Sequence, residues 1–214
     1  MKITKILDNK YTLKATSKGK AFNSMFLKII TASFYQLETD SVVFIGGAVH
    51  LLKDYLLNRQ SLSYQDCIKL IHDLSKQISY LKHLNYGVIG LDVTDILVID
   101  DHTFVFIGEE KMYPLNEKEN MNIYSIICKP YFMSPEVLEL TKIPAEISYK
   151  ASYYSLGVLV VYFLLHRYWF AGNKLPNTKE EEDEILKPIK GTKMYWFLKR
   201  CLNKDMGKRE LLFI

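Results

Sequence analysis

The sequence predicts an α+β fold in which a short strand-rich part precedes a larger, mainly helical part. Three observations predict it. Polar and apolar residues alternate over Lys10-Tyr11-Thr12-Leu13-Lys14-Ala15-Thr16, and the β-branched run Ser41-Val42-Val43-Phe44-Ile45 is stopped by Gly46-Gly47, so both read as strands. Beyond the glycines, Ile71, Leu74, Ile78 and Leu81 recur at steps of three and four, the period of an amphipathic helix. Farther on, Ser152 to His166 is apolar on every side, and a helix of that kind must be buried in the middle of something.

Taken in order, residues 1–46 read as short strands over 10–16, Ser24 to Ile30 and 41–45. Helix is expected over His50 to Leu57 and again over Ser63 to Leu84, where Ser63 and Asp66 stand at capping-box spacing. Ile96 to Ile99 and Phe104 to Ile107, separated by Asp100-Asp101-His102-Thr103, form a hairpin signature. A less regular stretch runs to about Met133, and the buried helix follows. Then come Pro176, the acidic run Glu180 to Glu184, read as a solvated loop or helix start, and an amphipathic helix around Lys193 to Leu202.

Composition narrows the function classes. The chain has 214 residues, 49% hydrophobic and 24% charged, which suits one globular domain and argues against disorder. Its net charge of +4 is scattered, without the basic stripe of a nucleic-acid reader. Cys67, Cys128 and Cys201 are 61 and 73 residues apart, so neither a zinc knuckle nor a disulfide framework is indicated. The longest apolar stretch, Leu156 to Leu165, is too short to span a bilayer, and the N-terminus has no signal-peptide core. An intracellular, cytoplasmic protein without nucleic-acid or membrane partners is expected.

Five local motifs then stand in one order. Phe44-Ile45-Gly46-Gly47-Ala48-Val49-His50-Leu51-Leu52-Lys53-Asp54-Tyr55-Leu56 resembles the hinge and following helix of eukaryotic-type protein kinases. Gly87-Val88-Ile89-Gly90-Leu91-Asp92-Val93-Thr94-Asp95-Ile96-Leu97 resembles the catalytic loop, and Tyr131-Phe132-Met133-Ser134-Pro135-Glu136 the end of the activation segment. Ser152-Tyr153-Tyr154-Ser155-Leu156-Gly157-Val158 resembles the start of the central helix, and Cys201 to Arg209 the late segment that ends in an arginine. The resemblance covers about residues 42 to 214. It implies a protein-kinase-like α+β fold, with a minimal strand-rich small lobe over 1–46 and a mainly helical large lobe over 47–214. The wording, rich in Ile, Lys, Asn and Tyr, also resembles compact kinase-like proteins of large DNA viruses.

The same resemblance implies that the chemistry is lost. Kinases use a catalytic-loop Asp to position the hydroxyl, an Asn five residues on and a DFG Asp to hold metal, and a Lys–Glu pair on the phosphates. Setting Asp95-Ile96-Leu97 on the N-I-L of that loop puts the catalytic base at Gly90, and thirteen residues on, DFG falls at Gly108-Glu109-Glu110. A hydrogen neither accepts a proton nor binds Mg²⁺. No glycine-rich loop is present before Ser41, where Gly19 stands alone. Phe26-Leu27-Lys28 resembles the strand of the phosphate lysine, with Glu38 the nearest carboxylate. The stretch from Lys28 to Ser41 reads as too short for a helix and a further strand. Ser152 stands where kinases carry the Asp that holds the catalytic loop, so a loop no longer held is expected.

The expectation is a pseudokinase, a regulatory or interaction module without a cofactor, ATP being held at most weakly and without metal. Its partner would be a protein, either a kinase or a kinase substrate. If nucleotide binds, Lys28, Phe44, Gly46, Gly47 and Leu97 are the residues to hold it. The alternative is a divergent Ser/Thr kinase with Asp92 as base and Asp95 and Glu109 as metal ligands. Glu136 and Arg209 are expected to form a buried structural ion pair, and the Trp169-Phe170 loop is a candidate partner surface, burial in the core being the equal alternative.

Overall fold

The computed structural model describes residues 2–14, 19–29, 35–37, 41–59, 61–125, 132–169, 176 and 178–213. Glu38, Cys128, Tyr131 and Phe170, named above, lie outside them.

Strands β1 (Lys2–Leu7) and β2 (Lys10–Lys14) form an antiparallel hairpin turned by Asp8 and Asn9. Helix α1 (Gly19–Ile29) follows, then β3 (Tyr35–Leu37) and β4 (Ser41–Ile45). The four strands make one antiparallel sheet in the order β1-β2-β4-β3, with Tyr11 opposite Phe44. The stretch Ser24 to Ile30, expected as a strand, belongs to α1 as far as Ile29. The reason is its burial. Phe22, Met25 and Phe26 stand at i, i+3 and i+4 and are fully buried, while Ser24 and Lys28 face solvent. Phe26 meets Phe44 edge-on with ring centroids 5.0 Å apart, which fixes the helix on the sheet. The helix of this part lies before Lys28 rather than after it: α1 begins at Gly19, and between its end at Ile29 and Ser41 the described residues hold only the three-residue β3.

After the glycines the chain forms β5 (Val49–Leu51) and α2 (Leu52–Arg59), so the expected helix at His50 starts two residues later. Helix α3 (Tyr64–His83) begins at a complete capping box between Ser63 and Asp66. Strands β6 (Tyr86–Val88), β7 (Ile96–Ile99), β8 (Thr103–Phe106) and β9 (Met112–Pro114) come next. β7 and β8 are the expected hairpin, joined by β5 in a three-stranded sheet, and β6 pairs with β9. The outer edge of β8 is tied to α3 through two buried side chains. Asp73 accepts from Phe104 N at 3.0 Å, and Gln77 accepts from Phe106 N at 2.6 Å and donates to Phe104 O at 2.8 Å.

Strands β10 (Asn120–Ile123) and β11 (Ala145–Ser148) pair with each other, with α4 (Pro135–Leu138) between them in sequence. β6, β9, β10 and β11 were not legible, being three or four residues long and without an apolar run like those of β7 and β8. Helix α5 (Ala151–Leu165) is the buried helix the sequence predicts, with Leu156, Leu159 and Val160 fully buried. The acidic run forms α6 (Lys179–Leu186), capped by Thr178, with Glu180, Glu181 and Glu182 in the first turn where the helix dipole favours them. Helix α7 (Lys193–Cys201) closes the fold. Trp169 is no exposed anchor. It is 2% accessible and donates its indole N–H to the Tyr154 hydroxyl at 2.9 Å. Among the described residues, no helix is long and apolar enough to cross a membrane.

Candidate functional site

The cleft corner named by the motifs is built where β8 leads into Gly108 and where the 3-10 turn Val93–Asp95 precedes β7. Gly108 lacks more than a carboxylate. A Cβ placed there would lie 2.8 Å from the Phe106 ring and 2.9 Å from the Asp95 Cβ, both parts of a packed interior. Gly90 is filled from the other side. A Cβ there would press on Met133 Cγ at 3.2 Å, and Met133 is fully buried, so a longer acid would have to displace it.

Asp95 forms a buried ion pair with Lys111, the side chains being only 11% and 16% accessible. Burial raises the Asp95 carboxyl above its ordinary value, against the lowering pull of the Lys111 ammonium, and Glu110 and Asp92 add to the rise by repulsion. Glu109 is buried and Glu110 exposed. Asp92 caps the Val93–Asp95 turn, accepting from Thr94 N at 3.1 Å and from Thr94 Oγ1 at 3.0 Å. One of its two carboxylate oxygens, Oδ1, is therefore engaged within its own turn.

The loop is also held, contrary to the expectation drawn from Ser152. Ser152 donates to Tyr149 O at 2.8 Å inside the N-terminus of α5 and does not reach the loop. Ser155, one turn later, does. Its hydroxyl accepts from Leu91 N at 2.7 Å and donates to Phe132 O.

The residues proposed for nucleotide do not converge. Lys28 is on a helix rather than a strand, and its ammonium sits 4.1 Å from the centre of the Tyr80 ring on α3. The Phe44 ring packs with Tyr11 and Phe26 in the core beneath α1. Leu97 is buried in β7 opposite Leu51. The backbone N–H groups of the glycine turn are already used: Gly46 donates to Asn9 O at 3.0 Å, while Gly47 and Ala48 donate to Asp100 Oδ1 at 2.6 and 2.9 Å. A cavity of about 290 Å³ remains, lined by Lys2, Ile3, Leu51, Thr94, Asp95, Ile107 and Glu110.

A divalent metal, which the resemblance implies as the carrier of ATP, does not fit these residues. Of its two kinase ligands, one position is Gly108, which has no room for a side chain, and the other is Asp95, whose charge is met by Lys111. Among the described residues no group of three His, Cys, Asp or Glu is placed to hold a metal ion.

Away from the cleft, Arg209 is fully buried and grips Glu136 with two bonds, at 2.6 and 2.9 Å. Its Nε donates to Asn203 O at 2.7 Å, and its guanidinium carbon lies 4.8 Å from the Tyr154 ring centre. Sequence reasoning missed Lys111, Met133, Ser155 and Asp100. Only Lys111, a lone cation three residues past Gly108, left a local trace.

No family model matches the sequence, and no curated protein matches it either. Among solved structures, one titled "Titin kinase and its flanking domains" superposes with a TM-score of 0.60 at 16% identity. The match covers 94% of this chain and 39% of that one, so the chain spans well under half of that structure's length. At such identity the likeness speaks to the fold alone. The chain has a protein-kinase-like α+β fold.

Proposed function

We propose that this chain is a pseudokinase, a regulatory or interaction module on a kinase-like fold that transfers no phosphate. One observation carries the reading: Gly90 and Gly108, the two positions that need a carboxylate, are packed against Met133 and against Phe106 and Asp95. A second supports it. The small-lobe helix α1, Gly-Lys-Ala-Phe-Asn-Ser-Met-Phe-Leu-Lys-Ile, contains no acid to hold a phosphate-binding lysine. The division into a small lobe over 1–46 and a large lobe over 47–214 is part of the same reading. No cofactor is required, and ATP binds at most weakly and without metal. The function is then exercised by protein contact, with a kinase or a kinase substrate as the class of partner.

The test is transfer from radiolabelled ATP to the chain itself and to a general protein substrate, with Mg²⁺ and with Mn²⁺. No incorporation above a no-enzyme control is expected. Incorporation that disappears in Asp92→Asn would overturn the reading in favour of a divergent Ser/Thr kinase with Asp92 as base.

A further inference from the structure

The backbone of Lys111 is fixed in place before its side chain is considered. Its backbone N–H donates to Gly108 O at 3.0 Å, and its carbonyl accepts from Ile89 N at 3.0 Å, so it is tied to both degenerate loops at once. From there its side chain reaches Asp95, whose own carbonyl accepts from Ile107 N at 2.6 Å. Asp95 shares the remaining cavity with Glu110 and Thr94, an oxygen set of the kind hard cations take. Lys111 already sets a positive charge on Asp95, and Lys2 lines the same cavity.

The geometry points to Lys111 as a built-in counter-cation that takes a divalent metal's place at Asp95 and makes this corner of the cleft independent of metal. The inference rests on the pseudokinase reading and deepens it. A buried carboxylate needs a positive partner or a proton, and a covalently attached ammonium supplies the charge at fixed concentration, whatever the ionic composition of the solvent. It also excludes a competing metal, because cation and ammonium would repel at the same oxygens.

The experiment is Mn²⁺ binding to the whole chain followed by electron paramagnetic resonance, without nucleotide, with far-UV circular dichroism to check folding. Wild type and Lys111→Arg are expected to leave the free-Mn²⁺ signal unchanged, and their Tm is expected to be the same in EDTA and in excess Mg²⁺. Lys111→Met should lower the free-Mn²⁺ signal at metal concentrations that leave the wild-type signal unchanged, with a Tm that rises on adding metal, and the added change Asp95→Asn should abolish the gain. A wild-type protein that binds Mn²⁺ through Asp95, or a folded Lys111→Met that gains no binding, would overturn the inference. If Lys111→Met does not fold, the wild-type and Lys111→Arg arms still decide, since a metal-dependent Tm in either contradicts a built-in cation. Metal bound by wild type without phosphate transfer would sink this inference and leave the proposed function standing. Transfer of phosphate would sink the proposed function itself.

Discussion

Among the described residues, the Glu136–Arg209 and Asp95–Lys111 ion pairs are both buried, and they differ in kind. Glu136–Arg209 joins α4 to the segment after α7 through a planar fork, with carbonyl and aromatic partners on its remaining faces. Asp95–Lys111 joins two turns of the cleft through a single point charge. A guanidinium with every donor directed is hard to replace, whereas an ammonium can stand in for any compact cation. The comparison teaches that one pair is fixed by the shape of its cation and the other only by the charge of its cation.

The sharpest way to break that contrast is to cut the first pair. Arg209→Ala or Glu136→Ala should cost about 3–5 kcal/mol in urea unfolding, since each leaves a buried charge alone. The double variant should cost clearly less than the sum of the two. A loss under ~1 kcal/mol for either would show the fork to be no more than a surface pair.

The cleft is probed next by putting acids back. Gly108→Asp should destabilise by about 1–3 kcal/mol through overpacking against Phe106. Gly90→Asp combined with Gly108→Asp should leave phosphate transfer at background. Recovered activity would mean the neighbouring side chains yield, and the contrast with the fork would fail.

A pH series sharpens the second pair. Because burial raises the Asp95 carboxyl, the ammonium of Lys111 can help only once that acid has ionised. In Lys111→Met the folded-state value should rise further, so the native state binds more protons than the unfolded one and loses stability as pH increases. The wild type should therefore exceed the variant most near neutrality, and the gap should close in acid, as chemical denaturation at several pH values would reveal. A gap of constant size would remove the electrostatic account. The smallest effect belongs to Lys28→Met, which removes an exposed contact with Tyr80 and should shift Tm by a small fraction of the Gly108 effect.

Much of the fold was legible. α3, α5 and the β7–β8 hairpin declare themselves through apolar period and length, and the fold class follows from their order. α1 was misread because Ser24 to Ile29 alternates loosely, and only the three-dimensional burial of Phe22 with Met25 and Phe26 exposes its helical period. In the cleft, the two glycines could be named from motif spacing alone. What fills the room around them could not, because Met133 and Ser155 arrive from segments far along the chain and no local pattern announces a packing partner. The tie of Asp100 to the glycine turn was equally hidden, being a contact between a hairpin tip and a segment some fifty residues earlier.

The Ser155 hydroxyl receives the Leu91 amide and gives its own hydrogen to the Phe132 carbonyl, so one oxygen on α5 fastens two loops. Neither loop can slide along the helix without dragging on the other's bond. Removing that one oxygen would therefore release both loops at once.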